Sequence, residues 1–512
     1  MIKEIGISAS IVFYMILMLA IGIWSSRQNA STDDFYLGGR KLGPIVTAMS
    51  AEASDMSSWL LMGLPGVAYI SGLAEASWTA IGLALGTYLN WLVVARRLRR
   101  YTIKANNSIT IPSFFANRFR DKSRILVAIS AIWILIFFIP YTASGFAACG
   151  KLFHTLFGID YILAMVLAAA VIILYTMLGG FLAASTTDLV QSVVMTIALF
   201  IVVLFGTHVA GGLDRVMDNA RGIAGYLSLR QMGNINTPQT AVPYSFMQVF
   251  ANLAWGLGYF GMPHILLRFM AIGDEKKIKV SRRIASVWVV ISMAVAIFIG
   301  IVANAMSKVG AIATAQSSAD AENSIVRIAH LLSGNGLGFA LLAGVILAGI
   351  LACTMSTSDS QLLAASSSFS ENLLVEVFGL PLTAKQRVVA ARLTVIVIAL
   401  ISIFIARDPN SSVFAIVSFA WAGFGAAFGP VMLLSLFWRR ANRYGAIAGM
   451  ISGGMMVFIW KYLLRPLGGG WDIYELLPAF VTGALFMLVV SLLTPAPGRE
   501  ITDEFDAVCK GL

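Results

Sequence analysis

The chain has few charges, few cysteines and few histidines. Only 12% of its 512 residues are charged and 58% are hydrophobic, whereas about a quarter of the residues in soluble proteins are charged. These fractions exclude a soluble globular protein. No long polar block separates the apolar runs, so we expect residues 1–512 to form one membrane domain. The net charge of +11 is typical of basic cytoplasmic loops, and no nucleic acid is expected as a partner.

The scarce cysteines and histidines exclude several kinds of site. Three scattered cysteines give no disulfide framework, and four widely separated histidines give no metal motif. A membrane enzyme would need His, Asp or Cys clustered in one cavity, and these residues are dispersed along the chain. The sequence therefore predicts that the protein is not an enzyme.

Apolar runs fill most of the chain. A membrane helix needs about 20 apolar residues. Thirteen runs predict thirteen spans, numbered from 0 to 12: 5–25, 44–70, 74–96, 125–150, 160–180, 186–208, 244–268, 284–306, 336–370, 388–406, 412–437, 445–464 and 474–494. With the N-terminus outside, the cytoplasmic segments hold 26 of the 36 Lys and Arg residues, including Arg27, Arg268 and the basic segment 96–124. This excess predicts an N-out, C-in orientation, with anionic lipid at the basic loops.

A polar run lies inside span 1. The segment Ser50–Gly66 opens with Glu52 and Asp55 among serines. A carboxylate at bilayer depth costs roughly 3 kcal/mol or more unless it is paired or solvated. A bound cation would offset that cost, so the run predicts half of an ion site in a transporter.

Span 6 contains several helix breakers. Gly256, Gly258, Gly261 and Pro263 lie within eight residues of one another. They release backbone groups, which a membrane protein tolerates only where they are buried in protein or line a cavity. Trp255 and Tyr259 are four residues apart and flank the break, as would suit a small organic substrate. The alternative is an ordinary proline kink with interfacial aromatics.

Span 8 carries a polar stripe. Cys353, Ser356, Thr357 and Ser360 fall at i, i+3, i+4 and i+7 on an otherwise apolar helix. Sodium is a hard cation that prefers oxygen ligands, and hydroxyls here together with released carbonyls elsewhere would supply them. The alternative is that these small residues only pack helices together.

Two further polar residues leave alternatives open. Asp188, at the start of span 5, is either a carboxylate favoured by the first helical turn or a contact for a relay or second cation. Tyr141, which follows Pro140 in span 3, either lines a cavity or packs. Spans 1 and 6 are five spans apart, and discontinuous helices at matching positions of two halves predict a transporter with inverted repeats.

The motifs together resemble those of the sodium:solute symporter family, and within it the sodium/proline symporters. The resemblance covers nearly the whole chain and is carried by FYLGGRKLGP (35–44), SAEASDMSSW (50–59), WGLGYFGMPH (255–264), MSTSDSQLL (355–363) and WAGFGAAFGPVMLLSLFW (421–438). It departs from the family at Cys353, where alanine is expected, and at Asp359, where an uncharged residue is expected.

The resemblance implies an all-α polytopic membrane protein with a LeuT-like 5+5 inverted repeat, one extra N-terminal helix and two extra C-terminal helices. Residues 1–43 would hold the extra helix and a linker, 44–208 the first repeat, 244–437 the second repeat, and 438–512 the last two helices and a cytoplasmic tail. The chain would lie in the cytoplasmic membrane of a bacterium, in an oligomeric state that the sequence leaves open.

The resemblance also implies site residues. The main sodium site would use the carbonyls of Ala53, Met56 and Cys353 and the hydroxyls of Ser356 and Thr357. Asp55 and Ser57 would support sodium coupling, and Asp188 with Ser360 would offer a second cation position. The substrate pocket would be lined by Tyr141, Trp255, Tyr259 and Pro263.

The implied function is sodium-coupled import of L-proline by alternating access. Alternatives within the family are symport of pantothenate, another amino acid, a sugar or a carboxylate. A transporter-like sensor is the remaining alternative, and the chain has no soluble output domain to support it.

Overall fold

The computed structural model describes residues 2–26, 32–408 and 411–510, most of which lie in helices. Arg27, one of the charges assigned to the cytoplasmic side, lies outside the described residues. The helices that form the bundle are Ile2–Ser26, Pro44–Asp55, Leu64–Ser71, Leu73–Leu89, Ile125–Phe157, Tyr161–Val209, Phe246–Leu253, Pro263–Ala271, Ile278–Lys308, Leu337–Ser367, Ala384–Ile405, Val413–Phe437, Arg443–Ile459 and Leu476–Leu493.

Shorter elements extend or connect these helices. Wide π-helical turns occupy Trp59–Gly63, Asn90–Val94, Ser368–Val377 and Trp460–Leu464, and tight 3-10 turns occupy Gly38–Arg40, Ala254–Phe260, Glu275–Lys277, Ser333–Asn335, Arg465–Leu467 and Gly469–Trp471. Short helices run over Thr32–Leu37, Ala95–Lys104, Ile111–Arg118, Leu213–Arg221, Ser318–Ala321, Ser324–Leu332 and Arg499–Cys509. A single antiparallel pair, Gln231–Met232 with Val242–Pro243, lies in the connection between spans 5 and 6.

Ten helices in the described part of the chain are long and apolar enough to cross a membrane, judged by length and composition. The other three predicted spans fall in shorter or divided helices. Spans 1 and 6 are each divided, and spans 4 and 5 share one helix, Tyr161–Val209, that turns at Gly180 (φ 61°, ψ −166°). The total of thirteen spans stays a prediction.

Span 1 lies at the centre of the bundle. Its first helix begins at Pro44, where the missing N–H of proline costs nothing, and ends at Asp55. The chain bends at Met56, is helical again from Ser57 and continues as a π-helical turn from Trp59. Every residue from Thr47 to Tyr69 is buried, so the polar run faces protein rather than lipid. The predicted break at the polar run is confirmed.

The basic segment between spans 2 and 3 packs more tightly than a lipid-facing loop would. Arg99 and Arg118 are buried and donate to the carbonyls of Ile272 (2.7 Å) and Ser435 (2.9 Å). Arg120 pairs with Glu504 of the C-terminal helix at 2.5 Å. Much of this charge therefore joins neighbouring segments of the protein to one another, and its contact with anionic lipid stays a prediction.

Candidate functional site

The break in span 1 meets the polar stripe of span 8. The Ser356 hydroxyl donates to the Ala53 carbonyl at 2.8 Å and lies 3.2 Å from the Cys353 carbonyl. The Thr357 hydroxyl donates to the same Cys353 carbonyl at 3.1 Å. Four of the five predicted sodium ligands thus form one group of oxygens across two helices. Met56, the fifth, ends the first half of span 1, and its carbonyl accepts from the Leu60 N–H at 3.1 Å.

Asp55 is the meeting point of three helices. Its carboxylate accepts a hydrogen bond from the Tyr259 hydroxyl of span 6. Its backbone carbonyl lies 3.4 Å from the Tyr141 hydroxyl of span 3. The neighbouring Ser57 hydroxyl accepts from the Trp59 N–H at 3.2 Å and so holds the turn after the break. The carboxylate is therefore oriented by Tyr259, one of the residues predicted to line the substrate pocket.

The break in span 6 has its released carbonyls satisfied from other helices. The Asn90 amide of span 2 donates to the Tyr259 carbonyl at 3.0 Å, and the Trp421 indole of span 10 donates to the Trp255 carbonyl at 2.8 Å. The predicted departure from an α-helix at 254–260 is confirmed as a 3-10 turn. Because partners satisfy the backbone, the break is stable at membrane depth.

Glycines in span 6 allow other backbones to come close. A Cβ on Gly256 would lie 2.2 Å from the Gly82 carbonyl oxygen of span 2, and a Cβ on Gly86 would lie 2.4 Å from the Gly256 Cα. A Cβ on Gly258 would lie 2.0 Å from the Trp421 indole nitrogen. Alanine at any of these positions would displace a neighbouring helix or the indole.

An aromatic wall surrounds Trp255, which is buried. Its ring lies 4.8 Å from that of Tyr474, 5.5 Å from that of Phe414 and 5.8 Å from that of Trp59. Tyr259 meets the Trp421 ring edge-on at 5.0 Å. Pro263 is buried at the first turn of the helix after the break. The wall therefore combines spans 1, 6 and 10 with the first residue of span 12.

Asp188 and Ser360 lie in one buried cluster, but with an arginine between them. Asp188 Oδ2 accepts from the hydroxyls of Ser50 (2.6 Å) and Ser54 (3.1 Å), and it pairs with Arg268 Nη2 at 3.2 Å. The Ser360 hydroxyl also accepts from Arg268 Nη2. The first-turn interpretation of Asp188 is wrong, because this residue lies about two helical turns after the break at Gly180, where span 5 begins.

Arg268 corrects a second expectation. The sequence placed it among the cytoplasmic charges that set orientation, yet its side chain is only 1% exposed and lies inside the bundle. The other Lys and Arg residues still favour the predicted cytoplasmic side when Arg268 is left out of the count. Asp359, the other departure, is also buried, and its Oδ1 accepts from the Ser360 hydroxyl at 3.0 Å.

Sequence reasoning missed several residues that shape the site. Glu52 is buried and accepts from the Trp91 indole at 3.1 Å. Asn90 and Trp91 stand at no recognisable spacing from the residues they contact, so only the fold reveals them. Trp59, Trp421 and Arg268 did carry a signal, since they lie inside or next to the motifs on which the resemblance rests.

A second buried ion pair lies at the other end of the bundle. Lys151 Nζ of span 3 is 3.1 Å from Glu322 Oε2, and both side chains are at most 5% exposed. Glu322 also accepts from the Val413 and Phe414 N–H groups at 3.1 Å and so caps the first turn of span 10. This pair joins span 3, span 10 and the connection between spans 7 and 8.

Comparison with known proteins agrees with this geometry. The family described as the sodium:solute symporter family matches residues 35–453. The chain is 41% identical to the sodium/proline symporter of Escherichia coli (strain K12), over 96% of this chain and 94% of that protein. It is also 41% identical to the high-affinity proline transporter PutP of Bacillus subtilis (strain 168), over 96% and 98%.

A solved structure supports the fold. A Na+-coupled sialic acid symporter, in a substrate-bound outward-open state, superposes with a TM-score of 0.78 at 18% identity, over 96% of this chain and 99% of that one. The predicted LeuT-like fold class of a multi-pass membrane protein is confirmed. With a family match over most of its length and relatives of this identity, the chain belongs to the sodium:solute symporter family.

Proposed function

We propose that the protein imports L-proline together with sodium across the cytoplasmic membrane by alternating access. The observation that carries this function is the pair of joined breaks. Ala53 of span 1 and Ser356 of span 8 offer oxygens to a cation, and span 6 offers an aromatic wall to a small solute, with Asp55 and Tyr259 hydrogen-bonded between the two breaks. The relatives at 41% identity are transporters of proline, which supports proline as that solute.

Sodium would bind the oxygens of Ala53, Met56, Cys353, Ser356 and Thr357. These are carbonyl and hydroxyl oxygens, as a hard monovalent cation prefers. The Ser356 hydroxyl now donates to the Ala53 carbonyl, and rotation of that hydroxyl would free both oxygens to face one ion. Asp55 and Ser57 would support this site from the same break. Sodium would therefore tie span 1 to span 8.

Proline would bind against Tyr141, Trp255, Tyr259 and Pro263. Its pyrrolidine ring is apolar and suits the aromatic wall, whereas its ammonium and carboxylate need polar partners near the breaks. Because the Tyr259 hydroxyl contacts the Asp55 carboxylate, a displacement of Asp55 at the sodium site would change the position of Tyr259 in the substrate pocket. This contact gives coupling a physical route.

The driving force suffices for strong accumulation. At about −140 mV the membrane potential supplies roughly 3.2 kcal/mol per charge moved inward. A tenfold sodium gradient adds about 1.4 kcal/mol. One sodium per proline would therefore support a gradient on the order of a thousandfold, with no covalent step.

The predicted organisation follows from the same function. Residues 44–208 and 244–437 would form the two inverted repeats that rock around the site, with 1–43 and 438–512 as additions. The N-terminus would lie outside and the C-terminus inside, so that the basic segments face the cytoplasm and anionic lipid. Cysteine labelling from each side of sealed vesicles, with single cysteines in the two tails, tests that orientation.

The deciding experiment uses the purified protein in liposomes. An inward sodium gradient should drive uptake of radiolabelled proline, and an equal potassium gradient should not. Sodium-driven uptake of pantothenate, a sugar or a carboxylate with none of proline would overturn the choice of solute. Proline binding that does not change with sodium concentration would overturn the coupling.

A further inference from the structure

Arg268 is a buried cation that the proposed transport cycle does not yet use. Its side chain is only 1% exposed, although it lies in the helix that follows the break in span 6. Its three nitrogens donate to five oxygens: Ser50 Oγ at 3.0 Å, Ser54 Oγ at 2.8 Å, Ser360 Oγ at 2.5 Å, Asp188 Oδ2 at 3.2 Å and the His264 carbonyl at 2.8 Å. The guanidinium is thus surrounded by oxygens from spans 1, 5, 6 and 8.

This oxygen shell has the chemistry of a cation site. It contains one carboxylate, three hydroxyls and one carbonyl, all of them ligands that sodium accepts in proteins. The sequence predicted a second cation at Asp188 and Ser360, and in the structure these two residues share the Arg268 guanidinium. The predicted ligands are therefore close together, and the Arg268 guanidinium lies between them.

The charge of Asp188 makes a cation necessary there. Its side chain is fully buried, and a buried carboxylate left without a counter-charge costs several kcal/mol. All of its contacts described above fall on Oδ2, and Oδ1 has no hydrogen-bond partner among the residues that the structure describes. Loss of the guanidinium would leave an anionic oxygen cluster facing an emptied space.

We propose that Arg268 is a resident cation that occupies the place of a second sodium, so that one sodium accompanies each solute molecule. The inference rests on the proposed function, because it counts the ions that move with proline. The sodium ion at the main site is released and replaced in each cycle. The guanidinium, in contrast, is fixed to span 6 and carries no net charge across the membrane. A built-in cation holds spans 1, 5 and 8 together and makes no use of the sodium gradient.

The first test measures stoichiometry in the unmodified protein. Radiolabelled sodium and radiolabelled proline are followed in the same liposomes, and we expect one sodium per proline. A ratio of two overturns the inference but leaves sodium-driven proline import standing. Absence of any sodium-driven proline uptake, by contrast, is the failure of the proposed function, so the two failures are distinguishable.

The second test empties the place of the guanidinium. In Arg268→Ala, sodium should enter the oxygen cluster, and the Hill coefficient for sodium-dependent proline binding should rise from one towards two. In Arg268→Ala combined with Asp188→Asn, the anionic ligand is lost and the coefficient should stay at one. Arg282→Ala, which removes a half-buried arginine outside the cluster, is the matched control and should leave the coefficient unchanged.

The Hill coefficients of the same variants can also reject the inference. A monodisperse Arg268→Ala protein that binds proline with a coefficient of one shows that the space does not take sodium. A coefficient that rises equally in the single and double variants shows that Asp188 does not bind the added sodium, which also contradicts the inference. If neither variant is recovered folded, the flux ratio of the unmodified protein decides, since one supports the inference and two overturns it.

Discussion

The breaks in spans 1 and 6 use the same backbone device for different chemistry. In span 1 the Ala53 carbonyl accepts from a hydroxyl that could itself become a cation ligand. In span 6 the carbonyls of Trp255 and Tyr259 are each taken by a fixed N–H donor from another helix. The first break therefore keeps its oxygens exchangeable, and the second has them occupied.

The difference separates ion binding from solute binding. An indole or amide N–H cannot serve as a cation ligand. The Trp255 and Tyr259 carbonyls are therefore occupied by donors that cannot bind an ion, and the span 6 break presents aromatic faces to a solute. The hydrogen bond from Tyr259 to Asp55 links the two breaks directly. Substitutions on either side should consequently affect sodium and proline unequally.

The largest effect is expected at the link itself. Asp55→Asn keeps the shape of the side chain but removes its charge, and should lower sodium-driven proline uptake more than about 100-fold, which is about 2.7 kcal/mol. Uptake in liposomes, with size-exclusion profiles to verify folding, measures this. Asp34→Asn, at a partly exposed carboxylate away from the bundle centre, is the control. Normal sodium dependence in Asp55→Asn would reject a coupling role for the carboxylate.

A smaller effect is expected from one sodium ligand. Ser356→Ala removes a hydroxyl that contacts the span 1 break and should weaken sodium activation by roughly 10- to 100-fold, since a bond to a charged group contributes about 1.5–3 kcal/mol. Thr354→Ala is a matched control, because it removes a buried hydroxyl of the same helix that donates to the Ile350 carbonyl at 3.0 Å and is not one of the predicted ligands. Equal sodium affinities for the two variants would contradict the site.

The aromatic wall should affect proline more than sodium. Trp255→Ala should weaken proline binding about tenfold, in line with about 1.4 kcal/mol for a lost aromatic contact. The sodium concentration for half-maximal activation at saturating proline should change by less than about threefold. Phe458→Ala, which removes another stacked aromatic away from Trp255, serves as control. A sodium defect as large as the proline defect would mean that the two breaks are not separate in chemistry.

The smallest effect should come from the donors that occupy the span 6 carbonyls. Asn90→Ala leaves the Tyr259 carbonyl without its 3.0 Å donor and should weaken proline binding about fivefold, or about 1 kcal/mol. Asn90→Asp substitutes an acceptor for the donor and should be worse. If Asn90→Asp binds proline normally, the Tyr259 carbonyl does not need a donor, and the two breaks do not differ in how their carbonyls are satisfied.

The sequence predicted the parts that local pattern determines. Four helix breakers predicted the break in span 6, and the polar run predicted the break in span 1. The i, i+3, i+4, i+7 spacing predicted that the oxygens of span 8 lie on one face. Partners from distant segments had no such signal: Asn90 reaches Tyr259 across 169 residues and Trp421 reaches Trp255 across 166. Arg268 was misjudged because a positive charge near a span end is usually a loop charge.

The glycine contact between spans 2 and 6 has a consequence for how the molecule moves. Where Gly82 and Gly86 touch Gly256, two main chains lie against each other with no side chains between them. Such a contact cannot slide without steric overlap, and separation would open a void. These two spans therefore travel as one rigid body. When the protein opens towards either side of the membrane, we expect helices to move at contacts where side chains separate the main chains. The hinges of the transport cycle would then lie in the rest of the bundle.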